Sequence, residues 1–265
     1  MKQPGTSAEA FDHIGARYDV EFTNTELSRW FRQRVWERLA ALYHPGDKVI
    51  EFGCGTGEDA IFLAKRGVRV LATDGSPAMI DETARKAQVE GVMIETRRLD
   101  FNDAANWNLP TGEFNGAYSN YGALNCVGDW TAIGAQIANA TKPGAKIGLG
   151  VMGPWCPWEI LWHGIHGDFR TATRRLRKST VAHLDGKYFT VYYPTPGRLQ
   201  GDFGANFRRS LLWGLGVFLP PSDLYKPVGS RPWLAYPLLA LEKLTAPYYP
   251  FKLLGDHYWL ELERV

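Results

Sequence analysis

Residues 49–58 read VIEFGCGTGE, an apolar run followed by glycines at alternate positions and then a glutamate. Glycine permits positive φ and lets a ligand approach the backbone closely, so this pattern predicts a strand, a ligand-binding loop and the start of a helix. A dinucleotide loop would have the spacing G-x-G-x-x-G, with a glycine at position 58. Glu58 stands there instead, and its charge would repel a pyrophosphate at the helix N-terminus. The loop therefore favours a ligand without a pyrophosphate.

Apolar strands and helices alternate along the sequence around this loop. Helical spacing of apolar residues predicts a helix over about 9–43, and a turn is expected at 142–144. The order predicts an α/β fold, a doubly wound and mostly parallel seven-stranded sheet with helices on both faces. Besides the strand at 48–52, strands are predicted at 68–73, 93–98, 116–119, 145–152, about 206–214 and 258–265, the last one antiparallel, and helices at 58–66, 77–88 and 130–141.

The composition is that of an ordinary globular protein. The chain has 265 residues, 45% of them hydrophobic and 22% charged, with a formal net charge of +2. That charge gives no reason to expect a nucleic-acid partner, which needs a concentrated basic face. The three cysteines lack C-x-x-C spacing, the N-terminus has no signal-peptide core, and no apolar run reaches the roughly 18 residues of a membrane span. We expect a cytoplasmic protein with no transmembrane segment.

The pattern E-x-G-x-G-x-G at 51–57 resembles the first motif of class I S-adenosylmethionine-dependent methyltransferases, in particular those that act on small molecules. The resemblance continues in order through Asp74 at the end of the second predicted strand, GSPAMI at 75–80 and LDF at 99–101. It implies S-adenosylmethionine as the cofactor and S-adenosylhomocysteine as its product. In the family the glycine loop faces the methionine part, the motif glutamate helps to bind its ammonium group, and the strand-end aspartate binds the ribose.

The resemblance extends to a weaker N-terminal stretch, FDHIGARYD at 11–19, in which the tyrosine of the family closes over the cofactor. A plain packing role for Tyr18 is the alternative. Asn120 follows the fourth predicted strand, at the edge of the sheet where open α/β folds bind ligands. The residues expected to bind the cofactor are Tyr18, Glu51, Gly53, Cys54, Gly55, Gly57, Asp74, Gly75, Ser76, Met79, Asp100, Phe101 and Asn120.

The resemblance also suggests how the chain is divided. We expect an N-terminal helical lid segment at 1–46, a cofactor-binding core at 47–153, and lid insertions with the last strands of the sheet at 154–265. More than half of the aromatic residues lie in this last part, together with the basic run RTATRRLRK at 170–178. A helix there would place Arg170, Arg174 and Arg177 on one side, suited to an acidic group on the methyl acceptor. A solvated helix face is the alternative.

The exit of the fourth strand, SNYG at 119–122, lacks the Asn/Asp-Pro-Pro-aromatic motif of enzymes that methylate amino groups of nucleic acids. This absence argues against nucleic acid as the acceptor, and the aromatic residues after Gly153 predict a small, largely apolar one. The residues expected to bind it are Tyr121, Asn125, Trp155, Arg170 and Arg174.

A general base is needed only if the acceptor keeps its proton at neutral pH. The candidates are His163, His166 and His183, with Asp168 as a further carboxylate beside them. Surface positions in an aromatic-rich segment are the alternative for each histidine. His163 and His166 lie one helical turn apart after the fifth strand, but they lack an evident third metal ligand, so we expect no metal.

The sequence thus predicts a methyltransferase that uses S-adenosylmethionine to methylate a small acceptor. Two alternatives stay open. The chain is a non-catalytic subunit that binds S-adenosylmethionine and activates a partner, or it acts on a lipid or other amphipathic acceptor at a membrane surface. The second alternative rests on the apolar, aromatic segment 211–250, which suits either a hydrophobic pocket or peripheral membrane contact.

Overall fold

The computed structural model describes residues 5–19, 23, 26–221, 228 and 230–265, without the side chains of Ala16 and Pro232. The strands of this part are β1 (Lys48–Phe52), β2 (Arg69–Asp74), β3 (Glu95–Arg98), β4 (Phe114–Ser119), β5 (Thr141–Met152), β6 (Thr180–Leu184), β7 (Lys187–Val191), β8 (Phe207–Leu215) and β9 (His257–Arg264). The α-helices are α1 (Ser7–Asp12), α2 (Glu26–Leu42), α3 (Glu58–Ala64), α4 (Pro77–Val89), α5 (Trp130–Ala140), α6 (Pro157–Ile165), α7 (Phe169–Ala172), α8 (Pro196–Phe203) and α9 (Pro232–Thr245).

Seven of these strands form one sheet in the order β3-β2-β1-β4-β5-β9-β8. Strands β1 to β5 are parallel, whereas β9 runs antiparallel to both of its neighbours, β5 and β8. The predicted doubly wound, mostly parallel seven-stranded sheet is confirmed. The direction of winding changes between β1 and β4, and open α/β sheets bind ligands outside the carboxyl ends of the strands at such a switch point.

Alternation of side chains along the strands divides the core into two layers. Val49 of β1 points to one face, where it joins a cluster that includes Leu39 of α2 and Leu63 of α3. Ile50 points to the opposite face, into a cluster that includes Ile133 of α5. Because a central parallel strand is covered on both sides, β1 is buried continuously from Val49 to Phe52.

The N-terminal segment differs from the single helix expected over 9–43. Two separate helices are found, α1 and α2, and residues 20–22 and 24–25 between them lie outside the described part. The apolar residues spaced along α2 do face the core, as the pattern indicated. Its buried residues are Leu27, Phe31, Val35 and Leu39.

The turn expected at 142–144 lies inside β5 instead. The strand carries the extra residues as an irregularity, because Phe114 pairs with Thr141 whereas Gly116 pairs with Lys146. The insertion after β5 also contains a two-stranded sheet of β6 and β7, which the sequence did not predict. Among the helices of the described residues, none has the length and apolar character needed to cross a membrane.

Glu242 of α9 holds the chain that leaves β8. Its carboxylate accepts hydrogen bonds from the N–H groups of Gly216 at 2.7 Å, Val217 at 2.9 Å and Phe218 at 2.9 Å. The side chain is buried, and this burial raises its pKa, while the three donors favour the ionised form. One carboxylate therefore satisfies three backbone donors that the end of the strand leaves without partners in the sheet.

Replacing Glu242 by Ala should destabilise the protein, because an unsatisfied buried donor costs about 1–3 kcal/mol. We expect a loss of about 3 kcal/mol or more in the free energy of unfolding, measured by urea denaturation. Glu90→Ala is the matched control, since Glu90 pairs with Lys65 on the exposed surface and its removal should change stability little. Equal effects of the two substitutions would contradict this role for Glu242.

Candidate active site

The glycine loop leaves β1 and crosses the loop that follows β4. Gly53 has a φ of 74°, and a Cβ on it would lie 2.2 Å from the Cβ of Ala123, so no other residue fits this crossing. Gly55 has a φ of 53°, but a Cβ there would meet no atom within 4 Å. The first glycine is required by packing, and Gly55 borders open space.

That space is a cavity at the carboxyl ends of β1, β2 and β4, here called the first cavity. The loop bonds to β2 beside it, since the N–H groups of Gly53 and Cys54 donate to the carbonyl of Thr73. Many residues expected to bind a cofactor line it. These are Tyr18, Glu51, Gly53, Cys54, Gly55, Asp74, Gly75, Met79, Asp100, Phe101 and Asn120.

Asp74, the last residue of β2, is held by the two loops beside it. Its carboxylate accepts hydrogen bonds from the N–H of Gly55 at 3.0 Å and from the N–H of Ser76 at 2.9 Å. Burial raises the pKa of Asp74 to about 6, and the backbone donors limit the rise. A carboxylate offers about four acceptor positions. Asp74 therefore keeps capacity for the hydroxyl groups of a ligand in the first cavity.

Glu51 of β1 is the second carboxylate of interest in the first cavity. It is 2% exposed, and its Oε2 has no hydrogen-bond partner among the described residues. Burial, reinforced by the charge of Asp59, raises its pKa well above the usual value. A buried carboxyl group with an unused oxygen suits a cationic group of a ligand, because that charge would restore the ionised form.

Glu58, whose charge argued against a dinucleotide, also lines the first cavity. It pairs with Lys86, which in addition binds Asp19 at 2.8 Å. One cation is thus shared by two carboxylates, and this side of the cavity keeps a negative balance. The argument against a pyrophosphate therefore still holds, and the negative charge balance favours a ligand that carries a positive charge.

Two residues expected to bind the cofactor lie outside the first cavity. Gly57 approaches Thr83, and a Cβ on it would lie 2.7 Å from that side chain. Ser76 caps α4 by accepting the N–H of Met79, and its hydroxyl donates to Asp12 at 3.0 Å. Both residues act in packing around the site.

A second cavity adjoins the first. Four residues line both cavities and are here called the shared wall: Phe11, Tyr18, Arg32 and Tyr121. The other described residues around the second cavity are Thr23, Leu27, Ser28, Phe31, Met152, Arg174, Arg175, His183, Leu184, Phe189, Pro221, Asp256 and His257. One part of this cavity is apolar and another carries charged side chains.

The charged part is a closed network of ion pairs. Arg175 donates to Glu159 at 2.9 Å and to Asp256 at 2.6 Å, and Arg174 donates to both oxygens of Glu159 at 2.7 and 2.8 Å. Burial opposes the ionisation of Asp256, but Arg175 and His257 outweigh it and hold its pKa well below the usual value. The charges of both arginines are therefore already matched by carboxylates.

The basic run differs from the expected helical face. Residues 170–177 form the short helix α7 and a 3-10 turn at Arg174–Leu176, so the run does not present one side. Arg170 is exposed and lies outside both cavities, whereas the buried residue is Arg175, which the helical pattern did not select.

Of the other residues predicted to bind the acceptor or to act as a base, some line a cavity and others do not. Tyr121 is in the shared wall, but Trp155 and Asn125 lie outside both cavities. The amide of Asn125 is fully used, since it donates to the carbonyls of Met152 and Tyr192 and accepts the N–H of Met152. His163 and His166 belong to α6 and its C-terminal end and also lie outside both cavities. Their positions do not bring them to the site.

Sequence reasoning missed Arg32 and His257. Arg32 lies on α2 and reaches the shared wall, where its Nη1 binds Asp59 at 2.8 Å and its guanidinium lies 4.6 Å from the ring centre of Tyr121. His257 is the first residue of β9. Because β9 is antiparallel, its first residue pairs with Met152 at the end of β5. The predicted antiparallel last strand was thus a signal that its beginning lies at the ligand-binding edge.

Comparison with known proteins identifies the core. Residues 49–144 match a family described as a methyltransferase domain. These residues form a class I methyltransferase domain. A demethylmenaquinone methyltransferase from Beutenbergia cavernae is 32% identical over 167 residues, which cover 61% of this chain and 65% of that protein. One from Corynebacterium urealyticum is 33% identical over 152 residues, or 56% of this chain and 60% of that protein. The chain thus spans slightly less than two thirds of the length of these relatives.

Solved structures support the fold of the methyltransferase domain and its surroundings. An S-adenosylmethionine-dependent methyltransferase from Mesorhizobium loti superposes with a TM-score of 0.55 and 18% identity over 86% of this chain and 97% of that chain. The [4+2]-cyclase SpnF superposes with a TM-score of 0.53 and 14% identity over 100% and 98%. At these identities the likeness concerns the fold, which is shared by proteins with different chemistry.

Gly55→Ala should remain folded but bind S-adenosylhomocysteine at least about tenfold more weakly, because its Cβ enters the first cavity. Gly53→Ala should have the opposite signature, since its Cβ meets Ala123 and lowers the melting temperature. Isothermal titration calorimetry and thermal melting distinguish the two. Unchanged affinity in Gly55→Ala would exclude a ligand along this part of the loop.

Asp74 should make the affinity for S-adenosylhomocysteine depend on pH. Hydroxyl groups of the ligand bind best to the carboxylate, so affinity is full above the pKa of about 6 and falls as the pH decreases below it. Asp74→Asn should weaken binding by roughly 1.5–3 kcal/mol at pH 7.5 and flatten this dependence. Calorimetric titrations between pH 5 and 8 test this, and an equal pH dependence in both proteins would refute it.

Proposed function

We propose that the protein is a methyltransferase that transfers the methyl group of S-adenosylmethionine to a small, largely apolar aromatic acceptor. The observation that carries this proposal is the junction of two cavities at the shared wall. The first cavity has the features expected for the cofactor, and the second has a lining suited to an organic acceptor. A methyl donor and an acceptor bound on either side of this wall would be neighbours.

The residues of the first cavity fit the cofactor chemically. The unpartnered Oε2 of Glu51 suits the ammonium group, Asp74 suits the ribose hydroxyls, and Met79 and Phe101 offer apolar surface to the adenine. When bound, S-adenosylmethionine supplies a methyl group on a positively charged sulfur. The task of the chain is to hold the acceptor against that methyl group and to exclude water.

The second cavity supports an aromatic acceptor that carries an oxygen. Leu27, Phe31 and Phe189 give it an apolar lining. Arg32 at the shared wall is largely buried, and its Nε has no hydrogen-bond acceptor among the described residues. An unsatisfied buried donor is costly, so this N–H is suited to bind an acceptor oxygen as negative charge develops on it. The demethylmenaquinone methyltransferases among the relatives make a quinol-type acceptor the first choice.

Direct transfer fits the site better than transfer through an enzyme nucleophile. Cys54 and Cys126 line the first cavity. Burial raises the pKa of Cys126 to about 12 and that of Cys54 well above its usual value. Both therefore remain thiols at neutral pH, and the thiolate is the reactive form.

Methyl transfer can be tested with S-adenosylmethionine labelled in its methyl group and short-chain demethylmenaquinol as the probe. We expect label in the quinol fraction with the wild-type protein. Arg32→Gln should lower kcat/KM by about 10–100-fold, the value of a hydrogen bond to a charged group, while affinity for S-adenosylhomocysteine changes little. Arg85→Gln is the control, because Arg85 pairs with Glu82 on the exposed side of α4.

Two other outcomes distinguish the alternatives. Binding of S-adenosylhomocysteine without transfer to demethylmenaquinol or to simpler naphthols would favour a non-catalytic subunit. An amphipathic acceptor at a membrane is supported by the exposed aromatic residues Trp233 and Tyr236 of α9, which are 73% and 63% exposed. Transfer to long-chain quinol in lipid vesicles that is faster than in detergent, and slowed by Trp233→Ser, would favour this location.

A further inference from the structure

His257 is placed where a proton acceptor would be useful. It lines the second cavity, and its ring centre lies 6.3 Å from that of Tyr121 in the shared wall and 6.3 Å from that of Phe31. Its side chain is only 11% exposed, and its Nδ1 lies 3.1 Å from Oδ2 of Asp256. The imidazole therefore sits next to a carboxylate on one side and close to the junction of the two cavities on the other.

We propose that His257 is the general base that removes the hydroxyl proton of the acceptor, and that Asp256 is its positioning residue. This inference rests on the proposed function, since it assigns a residue to the acceptor side of that reaction. The arrangement is similar to other pairs of a histidine base and a carboxylate, in which the carboxylate fixes the tautomer of the imidazole and stabilises the imidazolium that forms.

Asp256 is itself rigidly held. Arg175 donates to its Oδ1 at 2.6 Å and to its backbone carbonyl at 2.9 Å, and Glu159 anchors Arg175 from α6. This leaves Oδ2 of Asp256 for Nδ1 of His257. The two atoms are within bonding distance, but their alignment falls short of a well-formed hydrogen bond. Such catalytic bonds commonly tighten when the substrate binds.

Among the residues that the structure describes, the other titratable groups of the cavity do not offer an equivalent base. Burial raises the pKa of Tyr18 to about 12 and also raises the pKa of Tyr121, so both remain protonated at neutral pH. His183 of β6 is exposed, and its ring packs on Tyr188 at 4.7 Å. In the described part of the chain, the remaining charged groups around the cavity are the cations Arg32, Arg174 and Arg175 and the carboxylate of Asp256.

In the proposed reaction, one proton moves from the acceptor to His257. The O–H bond of the acceptor breaks, its electron pair stays on the acceptor, and the proton moves to Nε2 of His257. An electron pair of the acceptor oxygen, or of the ring carbon conjugated with it, forms the new bond to the methyl group. The pair of the broken carbon–sulfur bond stays on sulfur. If carbon attacks, its hydrogen moves as a proton to the oxygen and restores the hydroxyl group, so the net product is still one proton on His257, later released to water.

The experiment compares His257→Gln with wild type, using short-chain demethylmenaquinol from pH 6 to 10. We expect kcat at pH 7 to fall by about 10²–10⁴-fold, with KM and the affinity for S-adenosylhomocysteine unchanged. The acidic limb of the kcat profile should disappear, and the gap to wild type should narrow at high pH, where the quinol ionises by itself. Asp256→Asn should lower kcat by about tenfold or more. His166→Gln, outside both cavities, is the control.

A loss in His257→Gln that is equal at all pH values, or a kcat within threefold of wild type, would overturn the assignment. Circular dichroism and thermal melting check that the variants are folded. An independent readout is the ¹⁵N NMR spectrum of the imidazole, assigned with His257→Gln, which should show Nδ1 protonated and Nε2 shifted by demethylmenaquinol in the presence of S-adenosylhomocysteine. Absence of methyl transfer by the wild-type protein would instead count against the proposed function, whereas transfer with a silent His257 would count against this inference alone.

Discussion

The crossing of two loops at Gly53 and Ala123 is the constraint on which the site depends. β1 pairs with β2 on one side and β4 on the other, and the loops that follow β1 and β4 cross with no room for even a methyl group on Gly53. Because the crossing lies at the carboxyl edge, the loop turns outward into open space at Gly55. Asp74 then fixes this turn by accepting the N–H of Gly55. The first cavity is thus a consequence of close backbone packing.

Most residues of the first cavity could be predicted from the sequence, because they lie next to strands and motifs that the sequence itself indicates. Gly53, Asp74 and Asp100 each follow a predicted strand, and parallel strands bring their carboxyl ends to one edge of the sheet. Local order along the chain was therefore enough to group them. Ser76 shows the limit of this reasoning, since it has the expected neighbours but uses its hydroxyl to cap α4 and to bind Asp12.

The residues of the second cavity could not be predicted in this way, because they come from distant parts of the chain. Periodicity selected Arg174 as a member of one helical side facing the acceptor, but α7 ends before it and the buried cation of the run is Arg175. The reason is a pair of long-range partners, Glu159 and Asp256, which no local pattern in the basic run indicates. His163 was selected as a candidate base because it follows β5, which ends at the ligand-binding edge of the sheet. Its place on α6 nevertheless lies outside both cavities.

The two cavities are lined by residues from different parts of the sequence, and this difference affects how the chain could select its acceptor. Of the described residues around the second cavity, Tyr121 alone lies within 49–144, the part matched by the methyltransferase family. The rest come from the N-terminal helices and from residues after Gly150. Substitutions there can reshape the acceptor side while the crossing at Gly53 and the bond from Gly55 to Asp74 stay intact. Since distant sites without shared partners act nearly independently, cofactor affinity and acceptor choice are separable in this fold, with the shared wall as the place where they couple.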